Sequence, residues 1–84
     1  MNPVYGKAAA IDVHKKMLAV VIASGEAGEG EELREKFGTT VSELRRLKEW
    51  LREAGVEEVV MESTAQYWRP VWAELEEAFR LHLA

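Results

Sequence analysis

The 84-residue chain contains no cysteine, which excludes disulfides and thiolate metal sites. Proline is confined to Pro3 and Pro70, and side-chain amides to Asn2 and Gln66. No apolar run approaches the roughly 20 residues needed to span a bilayer. The opening residues Met1 to Lys7 lack the apolar stretch of a signal peptide, so a cytoplasmic protein is expected. Positive charge is not in excess: the net charge is −4 and the pI about 5.2. Composition alone therefore does not announce nucleic-acid binding. Length allows one domain and only a modest core.

Aspartate is almost missing as well. The chain has 15 acidic residues, and Asp12 is the only aspartate among them. It ends the apolar run Ala8-Ala9-Ala10-Ile11, where a carboxylate is disfavoured unless it has a partner or a cation. Glu62 has the same setting after Val59-Val60-Met61. Two carboxylates at the ends of two buried strands point to a metal site.

The layout supports that placement. Ala8 to Val13 reads as a strand, and His14-Lys15-Lys16 as a tight turn. Met17 to Ala23 is continuously apolar, as expected of a strand covered on both faces. Ser24 to Gly30 is a glycine-rich loop. Glu31 to Phe37 reads as a polar edge strand, its charges protecting an exposed sheet edge. Thr40 and Glu43 have capping-box spacing. The following helix places Val41, Leu44, Leu47, Leu51 and Ala54 on one stripe and ends at Gly55. Val56 to Met61 is a short buried strand. Pro70 suits the first turn of a second helix, whose apolar face is Val71, Trp72, Leu75 and Phe79. Leu81 opens a last strand. The order is β-β-β-α-β-α-β, an α/β mixed sheet with parallel strands where helices cross over.

If the first and fourth strands are parallel neighbours, Asp12 and Glu62 converge at their carboxyl ends, where open sheets bind ligands. Like charges that close share a proton or hold a cation, and hard oxygen ligands suit Mg²⁺ or Mn²⁺. A two-metal phosphodiester site needs more than two carboxylates. No third is evident: Glu57 and Glu58 fall inside a strand, and the helix glutamates read as solvated.

Two local words are more specific. Ile11-Asp12-Val13-His14-Lys15-Lys16 precedes an apolar strand, and Met61-Glu62-Ser63-Thr64-Ala65-Gln66-Tyr67-Trp68-Arg69-Pro70-Val71-Trp72 follows later. Together with the element order they resemble the N-terminal part of the insertion-sequence-110 family of DEDD transposases, whose catalytic domain is similar to the RuvC resolvase. The resemblance implies an RNase H-like (RuvC-like) mixed sheet that breaks off after the fifth strand begins. Residues 1–84 would be the N-terminal portion of one catalytic domain, with 1–7 a loose leader. It implies Asp12 and Glu62 as the first two catalytic acids of the tetrad, ligating Mg²⁺ or Mn²⁺ once the full tetrad is assembled. The other two acids and a serine-bearing C-terminal domain lie downstream in the family. It implies metal-dependent cleavage and transfer of DNA strands, a structured guide RNA as partner, a homo-oligomeric parent and a nucleoid-associated setting in bacteria or archaea. The 84 residues alone would be inactive. Where family members often have Gly after Ser-Thr, this chain has Ala65.

The residues also admit plainer readings. Asp12 suits a turn cap, and Glu62 a surface position. His14 reads as a turn residue before a ligand. Lys15 and Lys16 are candidate phosphate contacts, though lysines in turns are ordinary. Ser63 and Thr64 either cap the second helix or orient Glu62, with capping favoured. Tyr67, Trp68 and Trp72 are candidate stacking residues, but aromatics at helix-face spacing are more often core, and core is favoured for Trp72 in particular. Two other functions compete. An actin-like or sugar-kinase-type ATPase shares the topology but needs a glycine-containing, hydroxyl-bearing phosphate loop, and Val13-His14-Lys15-Lys16 has neither. A non-catalytic RNase H-like module docking RNA or protein would suit the acidic balance.

Overall fold

The computed structural model describes residues 7–23 and 32–84. The chain runs β1 (Lys7–Val13), β2 (Leu18–Ala23), β3 (Glu32–Phe37), α1 (Val41–Glu53), β4 (Val56–Ser63), α2 (Trp68–Leu75) and β5 (Arg80–Leu83). This is the expected order. The anticipated Ser24 to Gly30 loop and residues 1–6 lie outside the described residues, while Lys7, expected in the leader, is the first residue of β1.

The strands form one sheet in the order β3-β2-β1-β4-β5. β1 pairs antiparallel with β2, and β2 with β3. β1 pairs parallel with β4, and β4 with β5. β3 and β4 therefore point the same way, and the connection through α1 carries the chain across β2 and β1. The connection through α2 continues in the same direction. Parallel crossovers are right-handed, so two crossovers moving the same way place both helices on one face.

That geometry corrects one expectation. The apolar run in β2 predicts cover on both faces, but its burial alternates: Leu18, Val20 and Ile22 are buried, while Ala19, Val21 and Ala23 are half-buried. The covered face holds the core, in which Ile11, Val13, Leu18, Val20, Val59 and Met61 meet Leu44, Leu47 and Leu51 of α1 and Val71 and Leu75 of α2. Each fully buried aliphatic side chain contributes about 1.5–3 kcal/mol. The other face, among the described residues, is open. Ala10, Val21 and Val60 occupy its centre, and Val60 is 39% exposed. Glu32, Arg34 and Lys36 border it on β3, and Glu58, Arg80 and His82 on the β5 side.

α1 begins as its cap predicts, with one change. The Glu43 backbone N–H donates to Thr40 Oγ1 at 3.3 Å. The Glu43 carboxylate does not return to Thr40; it accepts from the Gly38 N–H at 2.9 Å. Arg46 completes this corner, donating to both Glu43 oxygens, to Glu35 and to the Lys36 carbonyl. Its guanidinium also lies 4.2 Å from the Phe37 ring centroid, so the first turn of α1 is pinned to the edge strand. These contacts hold the Glu43 carboxyl down at about 2, first through Arg46 and then through the Gly38 N–H. Val41 departs from the predicted stripe and is 61% exposed, while Leu44 in the same turn is buried. Gly55 ends the helix at φ +81°, the left-handed conformation that favours glycine.

Two further boundaries shift. β4 extends to Ser63, so Glu62 lies within the strand and not after it. α2 starts at Trp68, and Pro70 occupies its first turn as expected. Phe79 is buried beyond the helix end, its N–H donating to the Leu75 carbonyl at 3.2 Å.

Candidate functional site

The site starts from strand pairing. β1 and β4 are the two central parallel neighbours that the acid pair requires, and Asp12 and Glu62 are direct register partners. Both precede the last residue of their strands. Both face the open side, because the buried positions alternate with them: Ile11 and Val13 on β1, Met61 on β4. The two carboxylates thus stand side by side at the C-terminal edge, exposed to solvent. They border a shallow trough of about 460 Å³ lined also by Ala10, Ala19, Val21, Arg34 and Val60. The expectation of acids at the ends of two buried strands is met in position but not in burial, since one face of each strand is uncovered.

The loops at this edge are tied together. The His14 N–H donates to the Met17 carbonyl at 2.9 Å, closing the turn, and the Thr64 N–H donates to the Val13 carbonyl at 3.3 Å. The His14 imidazole turns back, its Nε2 lying 3.2 Å from Asp12 Oδ2. His14 is therefore a turn residue that also touches the site. Lys15 and Lys16 are exposed on the same turn.

Ser63 and Thr64 do not cap α2. The helix has Tyr67 at its N-cap and no side-chain cap bond, and Ser63 Oγ donates to the Thr64 carbonyl at 3.1 Å. The hydroxyls sit too early in the chain, because a turn from Thr64 to Tyr67 separates them from the helix. Neither hydroxyl is bonded to Glu62 among the described residues. Ala65 in this turn has φ +53°, a left-handed conformation that strains any residue with a Cβ. A glycine at this place would adopt the same conformation without that strain.

Tyr67 is 38% exposed, whereas Trp68 and Trp72 pack against the core and meet edge-on at 5.6 Å. The sequence reading missed Arg69. Its guanidinium lies 5.1 Å from the Trp68 ring centroid and donates to Gln66 Oε1. A cation flanked by Trp68 and Pro70 at a helix start was the available signal.

Asp12 and Glu62 fit a hard divalent cation in donor type and placement: two exposed carboxylates, adjacent in register, with room for waters. Among the described residues no cluster of three or more His, Cys, Asp or Glu side chains is arranged to hold a metal. The pair supplies part of a coordination shell and no more.

Comparison with known proteins gives a family and a fold. A family model described as a transposase, the DEDD type of insertion sequence 110, matches residues 9–82. No curated protein matches the chain in sequence. Among solved structures, Thermus thermophilus RuvC in complex with a Holliday junction substrate superposes with a TM-score of 0.66 at 14% identity, over 95% of this chain and 64% of that one. The PPX-GPPA enzyme of Aquifex aeolicus gives 0.64 at 16% identity, over 94% of this chain and 36% of that one. An exopolyphosphatase from Cytophaga hutchinsonii gives 0.62 at 12% identity, over 92% and 33%. The chain spans about a third of the length of the Aquifex aeolicus and Cytophaga hutchinsonii structures and less than two thirds of RuvC.

Proposed function

The chain belongs to the insertion-sequence-110 DEDD transposase family and has the RuvC-like, RNase H-like fold, and from that premise we propose that it is the N-terminal part of the catalytic domain of a DNA transposase. In this reading the parent protein cleaves and transfers DNA strands with a divalent metal, and Asp12 and Glu62 are two of its catalytic metal ligands. The observation that carries the reading is the register pairing of Asp12 with Glu62 on the central parallel strands. Bound there, Mg²⁺ or Mn²⁺ would supply charge stabilisation at the oxygens of a phosphodiester.

The chain's own residues prepare the site. Asp12 and Glu62 present oxygen ligands on one face. His14 lies against Asp12 and restrains its carboxylate. The Thr64–Val13 bond holds the two loops in fixed relation, so the acids are placed by backbone and not by side-chain packing. Two carboxylates bind Mg²⁺ weakly, and the 84 residues alone do not support strand transfer in this reading. A structured RNA and a homo-oligomeric assembly are proposed partners on the family resemblance alone.

The test is Mn²⁺ binding, read by electron paramagnetic resonance, for wild type, Asp12→Asn and Glu62→Gln. Loss of the weak site in both variants supports the assignment; identical binding in all three sinks it. The PPX-GPPA enzyme and the exopolyphosphatase share the fold, but the His14-Lys15-Lys16 turn has no glycine or hydroxyl with which to cradle a phosphate. An RNase H-like interaction module is the second reading. The part-apolar open face around Val60 favours it, and Mn²⁺ binding that ignores both acids would promote it.

A further inference from the structure

Among the described residues, two have a left-handed backbone: Gly55 at φ +81° and Ala65 at φ +53°. They bracket β4, one before Val56 and the other after Ser63. Glycine takes that conformation freely, whereas alanine takes it against its own Cβ. Ala65 is the first central residue of a turn, closed by the Tyr67 N–H on the Thr64 carbonyl at 3.5 Å. Such strain persists only where the surrounding structure over-determines it.

Both flanks of Ala65 are held. On the far side, Val71 and Leu75 anchor α2 at 1% and 0% exposure, and Trp68 and Trp72 pack on the core. On the near side, the Thr64 N–H donates to the Val13 carbonyl, and the Thr64 carbonyl also accepts from Ser63 Oγ. The Val13 end of that link is firm. Val13 is fully buried, pairs with Leu18 and precedes the closed turn from His14 to Met17. The Thr64 end depends on the turn. A negative φ at residue 65 would swing the chain on one side of it. With α2 anchored, the swing falls on Thr64, breaks its bond to Val13 and frees Glu62, two residues back, from Asp12.

Resting on the reading of Asp12 and Glu62 as cation ligands, we propose that Ala65 is a positioning residue for that pair. Its left-handed backbone keeps Thr64 on Val13, and that link holds Glu62 in register with Asp12. The sign of φ at Ala65 carries the effect; its methyl group does not.

The experiment compares the 84-residue chain with five variants. Ala65→Val introduces a branched Cβ that disfavours positive φ, whereas Ala65→Gly and Ala65→Asn accept it. Thr64→Pro deletes the N–H donor directly and carries the test if Ala65→Val does not fold. Gly55→Val places the same side chain at the other left-handed position, where a Cβ meets nothing within 4 Å. Circular dichroism checks that each variant is folded. Without metal, nuclear magnetic resonance reads the exchange of the Thr64 amide and the cross-strand contacts between Asp12 and Glu62. Electron paramagnetic resonance then reads Mn²⁺ affinity, with Asp12→Asn alongside.

Ala65→Val should lose the Thr64 protection. It and Thr64→Pro should both lose the Asp12–Glu62 contacts. Both should bind Mn²⁺ about tenfold more weakly, the scale on which supports of metal ligands act. Ala65→Gly, Ala65→Asn and Gly55→Val should keep contacts and affinity. Wild-type affinity in Asp12→Asn would sink the metal reading alone, and the metal-free contacts would still decide the positioning. The proposal is overturned if Ala65→Val keeps the contacts, if Gly55→Val loses them equally, or if Ala65→Gly loses them. It is also overturned if Ala65→Val binds Mn²⁺ like wild type while Asp12→Asn does not.

Discussion

Removing one charge of the acid pair should stabilise the metal-free protein while destroying its response to metal. Asp12 and Glu62 are register partners on neighbouring strands, and such strands lie about 4.8 Å apart. Two carboxylates projecting from them sit at a separation on the order of 6 Å, where like charges repel by about 0.7 kcal/mol in bulk water and more at lower dielectric. Both residues are exposed, so the low end applies, and salt reduces it further. Asp12→Asn should then raise stability by about 0.5 kcal/mol, a rise in Tm of roughly 2–4 °C for a domain of this size. The opposing term is the His14 contact at 3.2 Å, a half-exposed pair of about 0–1 kcal/mol. Measuring Asp12→Asn in a His14→Ala background removes that term. The assay is differential scanning calorimetry at low salt, without and with Mn²⁺. A cation at ten times its Kd adds about 1.4 kcal/mol to a protein that binds it only when folded. Wild type should gain stability with Mn²⁺, and Asp12→Asn should not. Glu62→Gln should repeat the pattern, and the double variant should gain less than the sum of the two. A lower Tm for Asp12→Asn in the His14→Ala background, in the absence of metal, would refute the reasoning, because it would mean the carboxylate makes a net stabilising contact.

Three other outcomes follow from the fold. Leu47 is fully buried between α1 and the sheet, so Leu47→Ala should cost about 2–5 kcal/mol in urea denaturation. Ala65 and Gly55 should respond with opposite signs. Ala65→Gly relieves a φ of +53° and should stabilise by about 0.5–1 kcal/mol, while Gly55→Ala should destabilise by about 1–2 kcal/mol. An added Cβ at Gly55 meets nothing within 4 Å, so that loss is conformational and not steric. Glu43 sets an acid limit. Its carboxyl lies at about 2, below an ordinary 4.5. A depressed folded-state value contributes stability that is fully present above about 4.5 and is lost as pH falls toward about 2. Glu43→Gln should flatten the stability profile in that window, measured by thermal melts between pH 2 and 6.

The placement of Asp12 and Glu62 was legible because it is written in local pattern. Asp12 and Glu62 stand out as acids at the ends of apolar runs, and the motif around each survives any uncertainty in strand bounds. Thr40, Gly55 and Pro70 marked helix ends through backbone chemistry that acts within a few residues. The polar β3 declared itself an edge by its charges. Other features were not legible. The second half of the capping box went to Gly38 because the chain turns back there. Ser63 and Thr64 looked like caps until an intervening turn moved the helix start. Arg69 settles against Trp68 and Gln66, contacts that only the folded turn brings together.

The sequence by itself determined the element order, the amphipathic stripe of α1 and the two acids, since periodicity, caps and turn residues are local properties of the chain. Pairing, facing and exposure were decided by the tertiary structure. The continuous apolar run of β2 could not show that one of its faces is open, because cover depends on where distant helices land. Two right-handed crossovers moving the same way put both helices on one side. The same arrangement leaves Asp12 beside Glu62 on the uncovered face, open to solvent.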